Sequence, residues 1–173
     1  MFSENDYIDC GNKPSLQINS SFTLSAWIYL HSVTPSAVLY TIAKRDTSEG
    51  YNMGLDDTRS IVLVDGAGSI KNTGHTASLN VLQYIAIVVT SPGTSMTGYI
   101  NALAGSAITI TALSDNNITL AIGARRNGAG ASNYFDGLID EVRVSNIARS
   151  ANWITTEYNN QNSPSTFYTI GNE

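Results

Sequence analysis

Charge is what this sequence has least of. Only 13% of its 173 residues are Asp, Glu, Lys or Arg, roughly half the share of an ordinary soluble domain. Ser, Thr and Asn supply the missing polarity in nearly every segment. The charge that exists is acidic, a net −5, which argues against a nucleic-acid binder because neutralising phosphates needs a basic face. Cysteine is scarce too. Cys10 stands alone, so no internal disulfide can form, and a lone thiol on an early strand is expected to pack as a small hydrophobe. The two histidines, His31 and His75, lie far apart with no ligand pattern around either.

Long apolar runs are missing as well. None approaches the roughly 18 residues that suggest a membrane span, so no membrane insertion is expected. The opening "MFSENDYIDCG" has no basic region followed by an apolar one, the pattern of a secretory leader. That leaves a cytosolic protein or, as the neutral polar composition favours, an extracellular or cell-surface module that is a fragment of a longer secreted chain. The length fits one domain with its own core, here residues 1–160, followed by an extended tail or linker over 161–173.

What the sequence does have is alternation. In "SFTLSAWIYL", Phe22, Leu24, Ala26, Ile28 and Leu30 fall on one face and Thr23, Ser25, Trp27 and Tyr29 on the other. "SAITITAL" and "NITLAIGA" alternate in the same way, and "YIAIVVT" is apolar on both faces, as a central strand would be. Further strands are predicted over 6–10, 38–44, 51–56, 60–65, 97–102 and 138–145. Turn-forming clusters such as "DDTRS", "DGAGS" and "NGAGAS" separate them. Many short strands without interleaved helices predict an all-β, antiparallel two-sheet jelly-roll sandwich. One short C-terminal helix is expected after Ser150 as N-cap, with Ile154 and Tyr158 on one stripe.

The segments "YIDCGNKPSLQINSSFTLSAWIYL" and "ITLAIGARRNGAGASNYFDGLIDEVRVSNIARSANWI" resemble the laminin G-like branch of the concanavalin A-like jelly-roll superfamily, found in bacterial multidomain secreted proteins. The resemblance spans most of residues 7 to 158. Two departures stand out. Leu82 and Tyr84 occupy a strand where the family usually carries Trp and His, and the familiar "YVNG" turn reads "YINA", Tyr99 to Ala102. Because Ala tolerates positive φ poorly, a longer loop is expected in place of a tight Asn-Gly hairpin.

The chemistry-bearing residues divide into three groups. In "FDGLIDEVRVSN", strict alternation would put Asp140 in phase with Leu138, Val142 and Val144, facing the packed side, where a carboxylate must be bonded, paired or metal-bound. Glu141 and Arg143 read as an exposed ion pair, and Asp136 with Gly137 as a turn into the strand. The resemblance implies a structural Ca²⁺ held by Asp140 with oxygens near Asn5 and Asp6, and a hydrogen-bonded structural Asp is the competing reading. Oxygen ligands of mixed origin suit calcium rather than zinc.

The second group is a possible ligand rim. Loops 44–52 and 124–134 concentrate Lys44, Tyr51, Arg125, Arg126, Asn127 and Tyr134. The third is catalysis, for which no residue is assigned. Related hydrolases carry E-x-D-x-x-E or E-x-D-x-E on one strand, and neither this nor a G-x-S-x-G elbow occurs here. The sequence therefore points to a noncatalytic module that binds carbohydrate or an extracellular protein partner. A purely architectural adhesion module packing on neighbouring domains of a larger chain is the alternative, and a divergent glycan-cleaving enzyme comes third.

Overall fold

The computed structural model describes residues 6–46, 49–90, 93–114, 117–127 and 130–167. The alternating segments form the strands they predict. One six-stranded sheet runs β1 (Ile8–Gly11), β11 (Leu120–Ile122), β3 (Leu39–Ala43), β4 (Asn52–Leu55), β5 (Ser60–Val64) and β6 (Ile70–Thr76). The other runs β10 (Ile108–Thr109), β8 (Ser95–Ile100), β7 (Leu82–Thr90), β2 (Phe22–Leu30) and β14 (Gly137–Ser145), with β9 (Leu103–Ala104) beside β8. Their strand pairings are antiparallel. This is the expected jelly-roll sandwich. Phe22, Leu24, Ile28 and Ile87 of one sheet meet Tyr51, Met53, Leu55 and Ile61 of the other in a single buried core. Cys10 is half-buried against that core, and burial pushes its thiol above the ordinary value.

Three details depart from the sequence reading. β6 was not expected, because "IKNTGHT" is polar and lies mostly exposed at a sheet edge, where alternation carries little apolar signal. The turn-forming "NGAGAS" does lie in a hairpin, between two short strands, β12 (Arg125–Asn127) and β13 (Gly130–Ser132). The helix α1 (Ala151–Asn162) continues past residue 160, and α2 (Pro164–Phe167) follows where an extended tail was expected. Finally, the "YINA" turn is tight after all. Ile100 pairs directly with Leu103, and both intervening residues take the left-handed conformation, Asn101 at φ 48° and Ala102 at φ 64°. Asn101 holds the turn by accepting from the Tyr84 N–H through Oδ1 and donating its own N–H to the Tyr84 carbonyl. Ala102 packs against the aromatic cluster under α1, which offsets its backbone strain.

A β-bulge decides which way the last strand faces. β14 pairs with β2 as Ile139↔Ile28 and Asp140↔Trp27, then resumes as Arg143↔Ser25. The inserted residue reverses the phase. Ile139, Val142 and Val144 therefore pack on the core, while Asp140 shares the outer face with Trp27. Strict alternation put Asp140 with Val142 and Val144, and the bulge overturns that.

Helix α1 lies on the outer face so formed. Ser150 caps it by accepting the Trp153 N–H, as its sequence predicts. Ile154, Glu157, Tyr158 and Gln161, spaced i, i+3, i+4 and i+7, turn toward the sheet. Tyr158 stacks on Trp27 with centroids 5.7 Å apart, and Trp27 meets Tyr84 edge-on at 5.8 Å. The buried Glu157 carboxylate accepts from the Tyr84 hydroxyl at 2.8 Å, from Arg143 and from Ser25.

Two outcomes follow for stability. Gly137, at φ 151°, begins β14 so close to β2 that a Cβ would lie 2.0 Å from the Tyr29 carbonyl oxygen. Gly137→Ala is expected to cost about 3 kcal/mol or more, read as a lowered urea midpoint at unchanged slope. Burial above all, with the Glu157 charge adding to it, holds the Tyr84 hydroxyl protonated far above its usual range. A folded-state pKa above the unfolded value gives stability that is complete below about pH 10 and falls as pH rises further. Urea unfolding at increasing alkaline pH should show this fall, and Tyr84→Phe should flatten it.

Candidate functional site

The β2–β14 pairing continues one step beyond the strands, with the His31 N–H donating to the Asp136 carbonyl at 2.9 Å. This brings the loop after β2 against the segment entering β14. Phe135 plugs the core, its N–H donating to the Gly123 carbonyl, so its neighbours Tyr134 and Asp136 turn outward. Asn133 is held at φ 57°, with its carbonyl accepting the Tyr40 N–H. The result is an open cleft of about 430 Å³ lined by Ser32, Thr34, Asn133, Tyr134 and Asp136 over Ala37, Leu39 and Phe135. Its volume falls within the range of small-molecule sites.

Asp136 is the carboxylate of this cleft. Its Oδ2 accepts from Ser32 Oγ at 2.6 Å and its Oδ1 faces His31 Nδ1 at 3.4 Å. Ser, Asp and His thus meet, but with the carboxylate in the middle. A nucleophilic triad needs the imidazole between hydroxyl and carboxylate, so Ser32 has no histidine to take its proton. A glycosidase pair needs two carboxyl groups about 5 to 9.5 Å apart across a cleft, and Asp136 is the only acid among the described lining residues.

Tyr134 joins the cleft to a second polar group. Its hydroxyl donates to the Ala131 carbonyl at 3.0 Å, and its ring lies 6.2 Å from Tyr7. Arg126 covers the Tyr7 ring at 5.5 Å, donates to the Tyr7 hydroxyl at 3.0 Å and sits 3.7 Å from Asp9. Arg125 turns the other way, to the buried Tyr40, whose hydroxyl burial pushes above its ordinary range despite the opposing charges of Arg45 and Arg125.

The proposed rim is therefore only partly assembled. Arg125, Arg126, Asn127 and Tyr134 are half-exposed on or beside the β12–β13 hairpin. Lys44 and Tyr51 are not rim residues, since each is 0% exposed. Tyr51 packs on Phe22 and donates to the Leu16 carbonyl at 3.0 Å. They sit directly after buried β3 and directly before buried β4, and the polar loop between them concealed this. Ser32, Thr34, Asn133 and Asp136 were missed, Asp136 because it reads as a turn residue. The available signal was Phe135, an apolar residue that sets Tyr134 and Asp136 on the opposite side.

Of the three residues expected to hold calcium, Asp140 and Asp6 lie among those described. Asp140 is exposed, and its Oδ1 accepts the Glu141 N–H at 2.8 Å, so the buried-carboxylate reason for a metal there falls away. Asp6 is exposed, and Asn5 lies outside the described residues. Among the described residues no three His, Cys, Asp or Glu side chains converge as metal ligands. Glu141 and Arg143 do form the expected exposed pair, at 2.7 Å. No helix among the described residues is long and apolar enough to cross a membrane.

The chain belongs to the concanavalin A-like lectin/glucanases superfamily, whose laminin G-type family profile matches residues 2–155. No curated protein matches the sequence. Among solved structures, the fold is similar to the binding domain of Paraclostridial Mosquitocidal Protein 1, at 21% identity and TM-score 0.68, over 93% of this chain and 42% of that one. A Bacteroides ovatus protein provisionally assigned to carbohydrate binding matches at 19% identity and TM-score 0.70, over 87% and 44%. Domain 4 of AbnA, an extracellular GH43 arabinanase of Geobacillus stearothermophilus solved with arabinotriose, matches at 17% identity and TM-score 0.62, over 82% and 68%. The chain spans less than half the length of the first two. At these identities the likeness is one of fold.

Asp136 has its side chain 45% exposed, so its bonds to Ser32 and His31 serve the cleft more than the fold. Asp136→Asn should cost about 1 kcal/mol or less in urea unfolding.

Proposed function

We propose that this domain is a noncatalytic carbohydrate-binding module of a secreted or surface-attached protein, taking a saccharide in the Ser32–Asp136 cleft. The observation that carries this reading is the donor set gathered there. A carboxylate, an amide and two hydroxyls, from Asp136, Asn133, Ser32 and Thr34, line one wall beside the Tyr134 ring. Sugars present dense hydroxyls on their edges and C–H groups on their faces, so they need this combination of fixed polar acceptors and an aromatic surface. The anchors are preformed: Ser32 orients Asp136, and the Ala131 carbonyl fixes Tyr134. Preorganisation of this kind lowers the ordering cost of binding.

The superfamily membership supports the reading, as do neighbours bound to arabinotriose or assigned to carbohydrate binding. The absence of a second acid from the described cleft, and the Ser–Asp–His order, favour binding without bond cleavage. The cleft's polar groups are side chains that need no metal to act, so calcium is not part of this reading.

A glycan array probed with the domain, with millimolar calcium and again with EDTA, tests it. Binding to a defined glycan class is expected under both conditions, weakened at least tenfold by Asp136→Asn and by Tyr134→Ala. Silence across a broad array would return the domain to an architectural role. Release of reducing sugar from any bound polysaccharide would make it an enzyme. Binding lost in EDTA would restore the calcium site.

A further inference from the structure

Helix α1 covers only part of the outer face of its sheet. Beyond it, Leu138, Tyr29 and Leu82 stand side by side in register across β14, β2 and β7. Leu82 is 56% exposed and Leu138 36%, and Val81 at 47% and Leu79 at 39% lie exposed just before β7. Exposed aliphatics scattered singly are ordinary, but a row of them across adjacent strands marks a surface made to be covered.

Toward the helix this row runs into a cleft of about 560 Å³ lined by Trp27, Leu82, Asp140, Glu141, Gln161 and Asn162. The charge in that cleft has one sign. Asp140 and Glu141 supply two carboxylates, and the C-terminal end of α1, at Asn162, adds the negative pole of a helix. Glu141 is partly spent, since its Oε2 accepts from Arg143 and Gln161. Asp140 commits only Oδ1, to the Glu141 N–H, which leaves Oδ2 for a partner. Glu141 holds φ 50° in the bulge, a conformation unfavourable for a residue with a side chain.

We propose that this shelf docks a protein partner through a segment in which a Lys or Arg adjoins aliphatic side chains. The aliphatic groups would cover Leu138, Tyr29 and Leu82, and the cation would enter the cleft against Asp140. Charge complementarity selects a cation over an anion, since the cleft sets the uncommitted Asp140 Oδ2 near a helix C-terminus in a chain of net charge −5. The aliphatic character selects protein over glycan. Leu and Val offer no flat π-face for a sugar ring, Trp27 is buried beneath Tyr158, and Tyr29, the one aromatic of the row, is half-buried and edge-on to His31. The shelf is a different surface from the Asp136 cleft and does not depend on what that cleft binds.

The test is selection of a random phage-displayed peptide library on the immobilised domain, followed by titration of the enriched peptides in solution. The expected consensus has Lys or Arg within two or three residues of Leu, Ile, Val or Met. Affinity should fall at least tenfold in Leu82→Ser and in Asp140→Lys, weaken with salt, and remain unchanged in Tyr134→Ala. Both substituted side chains are exposed, and unchanged melting temperatures would verify folding. No consensus, an acidic consensus, or equal binding by Leu82→Ser and Asp140→Lys would overturn the proposal. So would glycan binding abolished by Leu82→Ser, or a concentration-dependent dimer that Leu82→Ser disperses, because each assigns the shelf another occupant.

Discussion

The buried Glu157 carboxylate is the interaction on which the outer half of the molecule depends. A jelly roll of two sheets satisfies its core with inner faces alone, yet β2 and β7 also carry Trp27, Tyr84 and Ala86 on the outside. Those side chains need a cover. Helix α1 supplies it, and Glu157 fixes where the helix lands by gathering Tyr84, Arg143 and Ser25 from three adjacent strands, β7, β14 and β2. A buried charge is tolerable only when so surrounded, and removing one partner of such a pair typically costs about 3 to 5 kcal/mol. The network is therefore better understood as specifying the docking position than as adding net stability. The aromatic stack of Trp27, Tyr84 and Tyr158 supplies the apolar burial.

That docking depends in turn on the bulge in β14. Without the extra residue between Asp140 and Arg143, Arg143 would fall on the opposite face from the helix and could not reach Glu157. The same shift turns Val142 and Val144 inward and exposes Asp140. One inserted residue thus sets the core contact, the helix clamp and the acidic cleft together. It also explains why Glu141 tolerates a left-handed backbone, since the sheet on one side and Arg143 on the other over-determine it.

Much of the scaffold was legible in the sequence, because alternation in β2 and the Ser150 cap are local signals that tertiary contacts reinforce. What was not legible is non-local or backbone-specific. A bulge leaves no composition signature, so period-2 counting misplaced Asp140. The Asn101-Ala102 turn defied a sound propensity rule, because Tyr84 grips Asn101 and the helix cluster packs on Ala102. β6 is an edge strand without an apolar face. The site suffered most. Its walls come from residues about a hundred positions apart, brought together only by the β2–β14 pairing, while Lys44 and Tyr51, adjacent to a polar loop, are carried inside by their strands.

Spacing along one strand connects the two surfaces and limits what they can do jointly. Asp136 and Asp140 are four residues apart on extended chain, which at about 3.3 Å per residue places them about 13 Å apart. That exceeds the separation at which two carboxylates can work on one glycosidic bond, about 9.5 Å at most. Leu138 and Tyr29 fill the interval with apolar surface. The strand therefore presents a polar, aromatic-edged cleft at its start and an acid-ended aliphatic shelf further on. These are chemically unlike surfaces on one ladder, and the β2–β14 register keeps them at fixed distance.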